Sequence, residues 1–70
     1  MFITLTNAVP FFKDEKIILR KDIIISVHVG PAVRGEGEDA VTEFVTYVFA
    51  GDKGSWEVQE SVEEIAELLK

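Results

Sequence analysis

Trp56-Glu57-Val58-Gln59-Glu60-Ser61-Val62-Glu63-Glu64-Ile65 holds the end of a strand and the start of a helix in one short run. Trp56 and Val58 alternate with Glu57, so Ser55 to Gln59 reads as a strand with the two apolar side chains inward. Ser61 followed three residues later by Glu64 is the capping-box pattern of a helix N-terminus. Glu63 and Glu64 fall in the first turn, where the helix dipole favours negative charge. Val62, Ile65 and Leu69 recur at helical spacing, Ala66 and Leu68 widen the stripe, and Glu63, Glu64, Glu67 and Lys70 face water. A helix this short is marginal alone, so it must dock on a sheet.

The residues upstream supply that sheet. Gly51-Asp52-Lys53-Gly54 reads as a hairpin loop entered by a long strand, Val41 to Ala50. Val41, Val45, Tyr47 and Phe49 share one face of it around Glu43, and Phe44 and Val48 share the other with Thr42 and Thr46. Apolar residues on both faces point to a central strand or a contact surface. Trp56, Tyr47 and Phe49 read as core. Gly30 to Ala40, with three glycines, a proline and three acids, reads as a mobile loop. Before it, Ile23, Ile25, Val27 and Val29 alternate with Ile24, Ser26 and His28 as a strand, and Lys21-Asp22 reads as a tight turn. Lys16 to Arg20 and Phe2 to Thr6 are two more strands, with Ile3 and Leu5 on one face of the latter. Short connections between successive strands favour antiparallel neighbours. The expected fold is α+β: a single domain, residues 1–70, with a small antiparallel β-meander of about five strands and one C-terminal helix packed on one face.

Composition narrows the chemistry. A chain of 70 residues has one small core and buries only roughly 60% of its unfolded surface. There is no cysteine and one histidine, His28, which rules out disulfides and a four-ligand zinc site. Thirteen acids against seven bases give a net charge of −6, which repels phosphate backbones and anionic lipid surfaces. The clustered bases Lys13, Lys16, Arg20 and Lys21 read as solvated strand-edge charge. The N-terminal residues lack signal-peptide character and no apolar run is long enough to cross a bilayer. The expected localisation is cytoplasmic, and the expected partner is a protein or the chain's own copies, with no nucleic acid, membrane or small-molecule substrate.

No motif fixes a reaction. Ser26 and His28 share a strand face, but no third group orients the imidazole. Glu36, Glu38 and Asp39 lack the spaced oxygens of a calcium loop. Gly51-Asp52-Lys53-Gly54-Ser55 is followed by a strand, where a phosphate loop would be followed by a helix. No catalytic, cofactor or metal residue is assigned. Candidate partner-binding residues are Val9, Phe11 and Phe12, beside the strand-breaking Pro10, and Phe44 with Val48 on the second face of the long strand. Two adjacent phenylalanines in an extended segment point to opposite sides, so one of Phe11 and Phe12 is expected outside the core.

Three stretches together resemble a known family. Ile3-Thr4-Leu5-Thr6 opens the chain, Ile17-Ile18-Leu19 and Asp22-Ile23-Ile24-Ile25-Ser26-Val27 lie in its middle, and Trp56 to Ile65 closes it. In that order they are similar to the FlbD-like proteins of flagellar operons and their swarming-motility relatives, most closely over the closing stretch. The family's turn after the first strand and its central connection are shorter than Asn7–Lys13 and Gly30–Ala40 here. The resemblance implies a non-enzymatic role in motility, acting on flagellar output through protein contacts, and small acidic chains of this kind also occur in phage genomes. The expected function is a regulatory or accessory protein-binding module of bacterial or phage origin. The alternative is a self-assembling subunit joined through a sheet face or edge.

Overall fold

A computed structural model describes all 70 residues. Its elements are β1 (Phe2–Thr6), β2 (Lys16–Arg20), β3 (Ser26–Arg34), β4 (Val41–Phe49), β5 (Ser55–Val58) and α1 (Val62–Leu69), with short 3₁₀ turns between the strands. The α+β class, the five antiparallel strands and the single C-terminal helix are as expected.

The strands divide into two sheets, β1-β2 and β3-β4-β5. β2 and β3 do not pair, because Lys21–Ile23 forms a 3₁₀ turn that carries the chain round a corner. The two sheets meet instead at Asn7 and Val58, where the Ala8 amide donates to the Glu57 carbonyl and the Gln59 amide to the Thr6 carbonyl. The inward faces of both sheets then close on one core. Ile3, Leu5, Ile17 and Leu19 come from the first sheet, Val48 and Val58 from the second, and Ile65 from the helix. Ile24, Val27, Trp56 and Leu69 pack around them.

The helix cap is formed in both halves. The Glu64 amide donates to Ser61 Oγ at 3.1 Å and the Ser61 amide to Glu64 Oε1 at 3.2 Å. One residue earlier, the Glu60 carboxylate accepts from the Thr6 amide and the Thr6 hydroxyl, both at 2.8 Å. This clamp fixes the start of α1 against the end of β1. The apolar stripe of the helix is narrower than its sequence suggests: Ile65 is buried, Leu69 is half-buried, and Ala66 and Leu68 are exposed.

Two sequence expectations are corrected. Gly30–Ala40 is not one mobile loop: Gly30–Arg34 completes β3, and only Gly35–Ala40 turns the corner to β4. Gly30 survives in a strand because the Tyr47 ring covers it, so closely that a Cβ there would lie 3.0 Å from a ring carbon. The Tyr47 hydroxyl donates to the Pro31 carbonyl at 2.8 Å. The inward face of β4 is also the opposite of the aromatic one. Thr46 and Val48 are buried, while Tyr47 and Phe49 lie outside with His28, whose ring stacks on theirs at 5.9 and 5.1 Å.

Candidate functional site

β3 and β4 are each nine residues long, whereas β5 is four and pairs only with Thr46–Phe49. The distal half of the β3–β4 hairpin therefore leaves the core as a two-stranded arm, and the molecule measures 43 × 22 × 19 Å. Register decides what the arm shows. Val27 pairs with Val48 and Val29 with Thr46, followed by Pro31 with Phe44 and Val33 with Thr42. All of these lie on the face that covers the core at the base of the hairpin. Past the core the same face is bare: Val29, Pro31, Val33 and Phe44 are exposed, Phe44 by 74%. A continuous apolar surface beyond the core of a small domain is a contact-site feature.

Where Arg34 and Glu43 lie, the other face of the arm is polar and bridged. Arg34 donates from Nε to Glu43 at 2.9 Å and from Nη2 to Glu57 at 2.6 Å. The two carboxylates, Glu57 foremost and then Glu43, hold the Arg34 guanidinium above its ordinary pKa. This bridge braces the arm against β5.

The backbone hydrogen bonds leave one stretch of the β4 edge open. The Ala50 amide donates to the Gly54 carbonyl across the β4–β5 hairpin. Alternation then points the amides and carbonyls of Val48, Thr46, Phe44 and Thr42 toward the β5 side. Val48 and Thr46 find Trp56 and Val58 there, but β5 ends before Phe44 and Thr42, whose backbone groups face an open track. Beside the track lies a hollow of about 310 Å³ lined by Phe44, Val45, Glu43, Ala8, Gln59 and Lys13. The outer edge of β3 is different, since Pro31 sits at an outward position and has no N–H to offer. On β2, Lys16 and Arg20 flank Ile18 along the free edge, the arrangement that discourages strand pairing.

Of the expected contact residues, Phe44 belongs to this surface and Val48 does not. Val48 is fully buried in the core, because Thr46 and Val48 face the β1–β2 sheet and only the distal part of that face is free. Phe11 and Phe12 sit elsewhere, in the 3₁₀ turn Pro10–Phe12, with their rings edge to face at 5.0 Å. The segment is not extended, so the expectation of opposite sides fails as a geometric reason, and both rings are exposed, by 87% and 47%. Phe12 lines a cleft of about 420 Å³ with Ile17, Ile18, Leu19 and Trp56, and Val9 is half-buried. Trp56 Nε1, next to this cleft, has no acceptor. Val29 and Val33 were missed by the sequence reading, although their period-2 spacing with Val27 continues through Gly30 and Pro31.

The chain matches no family model, no curated protein and no solved structure. No helix is long and apolar enough to cross a membrane.

Proposed function

We propose that the chain is a non-enzymatic protein-binding module, a small regulatory or accessory protein of bacterial or phage origin. It works in the cytoplasm through contacts made by the β3–β4 arm, in the manner implied by its resemblance to FlbD-like motility proteins. One observation carries the reading: the core-facing side of the hairpin continues as exposed Val29, Pro31, Val33 and Phe44 alongside an open strand edge. Edge groups of this kind bind extended backbone, and flanking side chains supply specificity. The acidic surface keeps the rest of the molecule dispersed.

The test compares wild-type protein with Phe44→Lys as immobilised bait in native lysate supplemented with untagged copies of the chain. Retention of a defined protein, foreign or self, that is lost with Phe44→Lys is the expected result. Retention of nothing at any salt concentration, or the same retention by both baits, would overturn it.

A further inference from the structure

We infer that the occupant of the open β4 edge is the same edge of a second copy, paired antiparallel about a two-fold axis at Glu43. The inference rests on the reading of the arm as a protein-contact surface and names the partner.

Register follows from which backbone groups are free. Only Thr42 and Phe44 direct their amides and carbonyls into the open track. In a two-fold antiparallel pair, setting Thr42 opposite the second copy's Phe44 satisfies all of them in both chains. Centring the axis on Thr42 leaves Phe44 facing the second copy's Ala40, outside its strand. Centring it on Phe44 sends Thr42 to the second copy's Thr46, already bonded to Val58. With Glu43 at the axis, Ala40 would stand opposite that same occupied Thr46, and this is where the chain leaves the strand for the Gly37–Asp39 turn. The track and the strand that fills it therefore have the same length, Val41 to Val45.

Charge favours the same arrangement. One end of the open edge carries Lys13, which lines the hollow, and the other ends in the exposed acids Glu36, Glu38 and Asp39. Antiparallel self-pairing brings each acidic tip to the Lys13 end of the other copy, and it does so twice. Such self-complementarity is what an isologous contact requires. On the apolar face the two Phe44 rings become diagonal neighbours, a separation aromatic side chains can span. The cost falls on Glu43, which meets its own copy on the polar face. Each Glu43 carboxylate is held by its own Arg34, and Glu43→Gln should tighten the pair.

Glu43 facing Glu43 is the non-hydrogen-bonded kind of pair, with Cα atoms about 4.5 Å apart. That separation lies within the range of a disulfide. The protein has no other cysteine, so Glu43→Cys should cross-link to itself with diamide as oxidant, while Val41→Cys should not. Sedimentation equilibrium should give twice the 7.8 kDa chain mass for wild type and the single mass for Phe44→Lys, whose thermal melt should match wild type at dilutions where both are single chains. Lys13→Glu should weaken dimerisation by roughly 3–10-fold at low salt. Adding Glu36→Lys and Glu38→Lys to the same chain should restore it. A single-chain mass for wild type at high concentration, or equal cross-linking at positions 41 and 43, overturns the inference. If that happens while the wild-type bait still captures a foreign protein through Phe44, the arm keeps its binding role and only the second copy is removed. If neither self-pairing nor capture is found, both readings fall.

Discussion

Val48 and Phe44 lie four residues apart on one face of one strand, yet one is sealed in the core and the other is bare. Substitution should separate them sharply. Val48→Ala should cost about 2 kcal/mol in a denaturant titration, from lost burial and the cavity left behind. At dilutions where both are single chains, Phe44→Lys should leave the midpoint within about 0.5 kcal/mol of wild type. Phe11→Ser should be as silent as Phe44→Lys, and Phe12→Ser should cost less than the core change, since its ring is only half-covered. Gly30→Ala pushes a methyl group against the Tyr47 ring and should destabilise by about 1–3 kcal/mol. Tyr47→Ala in the same chain should remove much of that penalty. Arg34 works at the same scale through charge. Its raised pKa means that its share of stability is present below the ordinary arginine value and is lost only as pH rises through the raised one. Melts between about pH 7 and 10 should therefore show no transition belonging to Arg34, whereas Arg34→Met should loosen the arm throughout that range. Ile3, Leu5 and Ile65 were legible as core residues from spacing alone. Val48 was not, because β4 is apolar on both sides, and alternation says that two faces exist without saying which is covered.

The elements were legible where local chemistry decides them. β1 and β2 have the boundaries their alternation predicts, and the capping box at Ser61 and Glu64 forms as its spacing requires. β3 was misplaced at both ends. Ile23 is taken up by the corner at Lys21–Ile23, Ile24 and Ile25 link that corner to the strand, and the C-terminal half of β3 hides behind a Gly-Pro pair that normally marks a turn. Strand pairing overrides that local preference here, because Tyr47 covers the glycine and the proline occupies an outward edge position. Deleting Gly30–Ala40 should accordingly unfold the arm. Replacing only Gly35–Ala40 with a two-residue turn should leave stability unchanged or slightly raised, because a shorter flexible closure costs less entropy. The link between elements invisible to pattern reading is Glu60. Nothing in its local sequence announces that it accepts two hydrogen bonds from Thr6. Glu60→Ala should cost about 1–3 kcal/mol, and Glu60→Gln should cost less by keeping one acceptor. Calorimetric melting temperatures would rank the three proteins.

At the scale of the whole molecule, class and content could be read from sequence, but the division into two sheets could not. Sheet membership depends on the non-local contact of Asn7 with Val58, and neither residue carries a local signal for it. Ile65 closes the core shared by both sheets, so Ile65→Ala should cost about 2–4 kcal/mol. Removing Ser61–Lys70 should abolish the cooperative melt, and a cooperative melt after that truncation would mean that another chain covers the core. The arm stands apart from this core, tied back to β5 from its far end by the Arg34 bridge and covered at Gly30 by one tyrosine. A two-stranded ribbon without a third strand is marginally stable in water. It should open and reclose many times for each global unfolding event. Hydrogen exchange would then divide the amides of β4 into two classes. Val48 and Thr46 should exchange only with the whole molecule, and Glu43 and Val41 through local opening. Raising the protein concentration should slow the second class, together with the Thr42 and Phe44 amides that a second copy would bond, and leave the first class unchanged if a second copy stitches the ribbon shut, making exchange at Glu43 a direct reading of how often the arm is held.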